Sequence, residues 1–417
     1  MSTDPAPTQP TPSDPVERLA SIRHEFGEHG GVNMSIEAST TFTVMEAGTM
    51  PEIFQGRLGP DDGGCFLYGR HFNPTVYALG RQLAALEGAE AGYGTSSGLG
   101  AISCALLGTL NQGDHIVAAD TLYGGTYAML AEFFPAKCGI TTTFVDMTDL
   151  AAVAAACTER TKVVYVESLS NPTLRLANLP MLAEIAHSRD AKLIVDNTFT
   201  PLAITPMDHG ADVVVHSLTK FVNGASDFIA GAVCGSAEFV SSLMDLHLGP
   251  LMILGATMDP QVAHSISLRV PHLPIRMVEH ARRAQVFAER LQSAGVKVSY
   301  PGLPQHQDHE LFRTIGRPEY GFGGLLTIDA GSSDRAESLM DDLQNTEGFG
   351  FMAVSLGYFE TLMSCSASST SSEMSDETLR AAGIAPGLLR MSIGFTGSCE
   401  QRWGQLERAL TRVGLIS

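Results

Sequence analysis

Five short runs of apolar β-formers, "HIVAAD", "TTTFVDM", "TKVVYVES", "AKLIVDNT" and "ADVVVHS", succeed one another between residues 115 and 217, separated by helical stretches such as "DLAAVAAAC" and "LPMLAEIAHSR". Strands that alternate with helices are joined by crossovers, and runs this apolar need cover on both faces. The order therefore predicts a mainly parallel sheet with helices on either side. Two further segments with helical spacing, "NPTVYALGRQLAALEG" and "SSGLGAISCALLGTL", precede the first run. From "MVEHARRAQVFAERLQSAG" at 277–295 a second, smaller α/β unit begins, which includes "GLLRMSIGF" and ends in a helix near Trp403 to Val413.

The expected organisation is a disordered tail over residues 1–15, an N-terminal arm over 16–66, a large domain over 67–270 and a small C-terminal domain over 271–417. The tail, "MSTDPAPTQPTPSDP", has prolines and acids where a signal peptide needs a basic start and an apolar core. The arm is Gly-rich with few periodic segments, which suits packing on a partner. A formal charge of −19 argues against nucleic-acid or anionic-membrane partners. No uncharged apolar run reaches membrane-spanning length. The seven cysteines include no CxxC pair, and HExxH is missing, so neither a disulfide framework nor a metal site is expected. A cytoplasmic protein fits these features.

In an open parallel sheet, ligands sit beyond the carboxyl ends of the strands. Glu167 closes one run, Asp196 the next, and His216 with Ser217 a third, four residues before Lys220. Taken singly, each acid could be an ordinary loop residue. Lys220 is harder to dismiss, because a lysine within an apolar stretch needs something to neutralise or use its charge. Such a lysine can form a Schiff base with pyridoxal phosphate, a cofactor that also needs an acid at its pyridine nitrogen and an anion hold for its phosphate. Asp196 can supply the first. For the second, "TSSGLG" can open a helix whose free N–H groups at Gly98 and Leu99 receive the phosphate, with hydroxyls from Ser217 and Thr219. Alone, that motif reads equally as an N-capped helix.

The ordered set "YGRHFNP", "SSGLGAI", "LYGGT", "ESLSNP", "VDNTF", "HSLTK" and "SLGYFETL" resembles the pyridoxal-phosphate enzymes of cysteine and methionine metabolism, the cystathionine synthase and lyase family. The likeness runs from about residue 30 to 415. "GVNMSIEASTTFTVME", "DFIAGAVCGS" and "GFMAVSLGYFETLMSCSASSTSSE" are most similar to the plant-type methionine γ-lyases of that family. The resemblance implies a fold-type I transferase fold and assigns Lys220 as the Schiff-base lysine and Asp196 as the pyridinium partner. It also implies Tyr123 stacked on the cofactor ring and Asn171 near its phenolic oxygen. Tyr68 and Arg70 match residues that reach the neighbouring subunit's phosphate, which implies a homotetramer of two catalytic dimers with shared sites. Arg390 matches the arginine that holds the substrate carboxylate, with Ser355 beside it.

Departures fall on the active-site wall. Ala225 stands in "GASD" where many members have histidine, Gly125 where bacterial methionine γ-lyases have cysteine, and "CSASSTS" at 365–371 keeps Thr370 but no histidine. The function implied is γ-elimination from an L-amino acid, methionine first, with Lys220 and Tyr123 moving the protons. The alternatives are γ-replacement of the cystathionine γ-synthase or O-acyl-homoserine sulfhydrylase type, and elimination of another group such as halide. A nicotinamide dehydrogenase is disfavoured, because no GxGxxG follows a first strand.

Overall fold

The computed structural model describes residues 14–22, 25–55, 57–59, 66–365 and 384–416. All five expected runs are strands of one seven-stranded sheet. Its members are β1 (Ala91–Thr95), β2 (His115–Ala119), β3 (Thr141–Val145), β4 (Thr161–Glu167), β5 (Lys192–Asp196), β6 (Val213–Ser217) and β7 (Gly231–Gly235), in the order β1-β7-β6-β5-β4-β2-β3. β2 to β6 pair in parallel, and β7 alone runs against its neighbours β1 and β6. The sheet is thus mostly parallel, as the alternation predicts. β2 and β7 are buried along their whole length and β4 nearly so, as helices on both faces require.

Helices close the sheet with ordinary end chemistry. In the helix Pro74–Glu87, Asn73 accepts from the N–H groups of Thr75 and Val76, Pro74 opens the first turn, and Gly88 ends it at φ 70°. Arg18, on the helix Pro15–Ser21, donates to the carbonyls of Ala85 and Leu86 at 2.9 and 3.2 Å. Its charge therefore lies at the negative end of the Pro74–Glu87 dipole. Residues 1–13 of the expected tail lie outside the described residues, while Asp14 caps the Pro15–Ser21 helix by accepting from Val16 and Glu17.

A smaller five-stranded sheet follows: β8 (Val298–Ser299), β9 (Leu325–Asp329), β10 (Gly350–Met352), β11 (Thr361–Cys365) and β12 (Leu388–Ser392), ordered β10-β11-β12-β9-β8. The helix Leu273–Ser293 joins the two bodies. Its first apolar residues, Leu273 and Met277, pack into the large core, and Ala284, Phe287 and Leu291 into the small one. The last helix spans Cys399–Arg412. Residues 366–383, with Thr370 and all but Cys365 of the "CSASSTS" wall, lie outside the described residues.

Candidate active site

Parallel register brings Glu167 at the end of β4 opposite Asp196 at the end of β5. Both carboxylates are buried, at 7% and 8% exposure. Loss of water, together with the neighbouring Asp196 charge, pushes Glu167 up to about 8 against the pull of its N–H donors and Arg390. Burial raises Asp196 as well, opposed by hydrogen bonds from Thr198 and by the charge of His216. The backbone N–H of Thr198 lies 3.0 Å from Asp196 Oδ1. Successive strand residues face opposite ways, so Asn197 turns to the other side, where it and His216 meet the buried Glu87 at 3.0 and 2.6 Å.

Lys220 sits in the turn after β6, its N–H donating to Ser217 O at 3.2 Å. Its Nζ donates to Ser355 Oγ at 3.0 Å, across 135 positions of sequence. Burial and then the nearby Arg390 charge depress its pKa from 10.5 to about 8. Arg390, on β12, is 3% exposed. Its guanidinium donates to Asn171 Oδ1 at 2.8 Å and to Ser355 O at 3.3 Å, and burial lowers it to about 10. Asn171 in turn donates its backbone N–H to Glu167 Oε2 at 2.9 Å, and Tyr123 donates its own to Glu167 Oε1 at 2.7 Å. Lys220, Ser355, Arg390 and Asn171 are thus joined in one chain of hydrogen bonds that Glu167 links on to Tyr123.

The other expected residues divide into two groups. The helix Gly98–Leu107 begins against β6, and a Cβ on Gly98 would fall 2.6 Å from the Cβ of Ser217. Only glycine lets this helix start so close to the strand end. Ser97 caps it through Gly100 N–H, which leaves the N–H groups of Gly98 and Leu99 at its positive end. The Thr219 hydroxyl clips the loop by donating to Ala230 O and accepting from Ala230 N–H at 3.2 and 3.0 Å. Tyr123 is 48% exposed at the N-cap of the helix Gly124–Ala128. A Cβ at Gly125 would lie 2.7 Å from the Tyr123 ring, so the bare backbone there leaves that ring its room. Tyr68 and Arg70 face outward instead. Arg70 lies over the Tyr68 ring at 5.5 Å and donates to Met252 O at 2.8 Å. Among the described residues, neither is hydrogen-bonded to Lys220, Asp196 or Arg390.

These groups fit pyridoxal phosphate. A desolvated amine after β6, a buried carboxylate at the end of the adjacent strand β5 and a helix N-terminus closed onto Ser217 are the three holds the cofactor needs. Among the described residues, no group of three or more His, Cys, Asp or Glu side chains is placed to hold a metal ion. The strand-end argument singles out Glu167 but gives it no role, and it does not find Glu87. A glutamate closing an apolar strand just before "SNP" is the signal for the first. The second lies 129 positions from its histidine and leaves no local trace.

Comparison with known proteins agrees with this geometry. A family model described as "Cys/Met metabolism PLP-dependent enzyme" matches residues 19–404. Methionine γ-lyase of Arabidopsis thaliana is 57% identical over 96% of this chain and 91% of its own. O-Succinylhomoserine sulfhydrylase of Pseudomonas aeruginosa is 34% identical over 91% and 90%. Among solved structures, cystathionine γ-synthase of Xanthomonas oryzae pv. oryzae in complex with cystathionine superposes with a TM-score of 0.85 at 32% identity, covering 97% of this chain and all of the other. A protein of Campylobacter jejuni described as an O-acetylhomoserine (thiol)-lyase, carrying N′-pyridoxyl-lysine-5′-monophosphate, superposes at 0.86 with 27% identity over 95% of this chain and all of that one.

Proposed function

This chain belongs to the Cys/Met metabolism PLP-dependent enzyme family, and from that premise we propose that it removes the γ-substituent of an L-amino acid, with L-methionine and water giving 2-oxobutanoate, methanethiol and ammonia. The 57% identity to a methionine γ-lyase over nearly the whole chain carries this reading. Pyridoxal phosphate, when bound, supplies an electron sink for charge developing at the substrate's Cα and Cβ. Arg390 takes the substrate carboxylate with a guanidinium whose plane is set by Asn171 Oδ1 and Ser355 O. Lys220 Nζ, desolvated and steadied by Ser355 Oγ, is suited to move protons at Cα and Cβ, because its pKa lies near neutrality. The Tyr123 hydroxyl protonates the departing thiolate sulfur. Asp196 holds the pyridine nitrogen, and the N–H groups of Gly98 and Leu99 with the Ser217 hydroxyl receive the phosphate. Thr219 adds to that hold from its loop.

Tyr68 and Arg70 serve the site of a second copy, in a homotetramer of two catalytic dimers. Their outward position supports this, as do the exposed apolar side chains of the arm, Phe26, Val32 and Met45 at 65%, 76% and 96%. The two separate clusters of buried residues support a large domain over 67–270 and a small one over 271–417. A cytoplasmic location accords with the reaction, and no described helix is long and apolar enough to cross a membrane.

The test is incubation with methionine and no added thiol, with products identified by mass spectrometry. 2-Oxobutanoate is expected to accumulate catalytically. Turnover only when a nucleophile is supplied, with a thioether product, would make the chain a synthase. Turnover only of a γ-halogenated or oxygen-activated substrate would keep the elimination and remove methionine.

A further inference from the structure

We propose that Glu167 is a positioning residue for both halves of the site: one carboxylate fixes the backbone of Tyr123 on the cofactor side and of Asn171, and through it Arg390, on the substrate side. The proposal rests on the reading above of Tyr123 and Arg390. The two N–H groups come from different loops, one 44 positions before Glu167 and one four after, and each lies within 2.9 Å of its own carboxylate oxygen. Tyr123 is the N-cap of a five-residue helix with no side-chain cap; its carbonyl accepts from Thr126 and Tyr127 N–H, and its own N–H is taken by Glu167. On the other side the Asn171 side chain gives Oδ1 to Arg390 at 2.8 Å, so a shift of the Asn171 backbone moves the guanidinium with it. Glu167 reaches neither ligand itself in this reading. It acts through residues that do.

Both oxygens accept fully only when the carboxyl is ionised, which two N–H donors favour. Burial beside Asp196 outweighs those donors and Arg390 and raises the group to about 8, so the comparison with glutamine is made above that pH. A glutamine of equal shape accepts on one side only. On the other its NH2 group faces a backbone N–H, donor against donor.

The experiment compares wild type with Glu167→Gln as full-length protein. It measures the Kd of the cofactor-free chain for pyridoxal 5′-phosphate, the KM for whichever amino acid the wild type turns over, and the melting temperature of the cofactor-free chain. The Kd and the KM are each expected to rise about tenfold, the scale of one lost hydrogen bond to a charged group, with melting displaced by only a few degrees. A merely structural glutamate would lower the melting temperature and leave both constants in place. The proposal is overturned if either constant stays within twofold. Should Glu167→Gln fail to fold, Glu167→Asp keeps the charge and withdraws it by one methylene, under the same criterion. If neither folds, Glu167 serves the fold and the proposal fails. Because Kd needs no turnover and KM is a ratio to wild type, a wrong substrate assignment shows in the wild type alone.

Discussion

Lys220 stands out in the sequence because an ammonium among "VVV" and "FV" has no solvent to hold it, and the structure turns that discomfort into reactivity. Only an unprotonated amine attacks an aldehyde, and burial plus Arg390 brings this amine from lysine's ordinary 10.5 to about 8. The sign follows directly: lowering the pKa enlarges the neutral fraction at any pH below 10.5. Covalent uptake of pyridoxal phosphate by the cofactor-free chain should therefore quicken about tenfold per pH unit up to about pH 8, then level off. Stopped-flow absorbance reads this rate, and a rise continuing to pH 10 would show that the amine is solvated. Asp196 was legible for a related reason, as an acid closing an apolar strand. The partnership of Arg390 with Asn171 was not, since 219 positions separate two residues that only tertiary folding brings together. Pattern could mark each as polar and interesting. It could not join them.

At the level of elements, the strands found in advance were those whose branched apolar side chains declare themselves: "TKVVYVE", "KLIVD" and "VVVHS". In the large sheet, the two that escaped, "AGYGT" and "GAVCG", are glycine-rich. They are strands because β7 pairs with both β1 and β6, a tertiary fact, and β7 reverses the chain direction within a sheet otherwise parallel. The segment Met129–Cys138 is a π-helix with Pro135 inside it, which no apolar spacing announces. The helix at Gly98–Leu107 was expected, but not how closely it meets β6. Gly98→Ala tests that closeness, because the added methyl would sit 2.6 Å from Ser217 Cβ and 2.9 Å from its Cα. The helix start must draw back, carrying its N–H groups with it, at a cost of about 1–3 kcal/mol. Phosphate affinity should suffer more than the fold. Equilibrium dialysis is expected to show the Kd for pyridoxal phosphate raised about tenfold or more, with far-ultraviolet circular dichroism unchanged. Unaltered affinity would place the phosphate elsewhere.

For the whole molecule, the outward pair Tyr68 and Arg70 makes a prediction that one chain cannot satisfy. If Arg70 completes a neighbour's site, then Arg70→Ala and Lys220→Ala are each inactive, yet a mixed dimer of the two has one site with both residues intact. Coexpression should restore about a quarter of wild-type activity when subunits mix at random, since half of the dimers carry one complete site of two. Proven heterodimers without recovery would exclude the sharing. Another consequence follows from where the site lies. Lys220 hangs from the large sheet and Arg390 from the small one, and within the chain they meet through Ser355, which offers its hydroxyl to one and its carbonyl to the other. On the proposed reading, an amino acid seated between them would be a strut, its carboxylate anchored in one body and its reacting carbon presented to the other. Any ligand that spans the gap resists the parting of the two bodies with the same contacts that give it affinity. Substrate and fold would therefore stiffen one another.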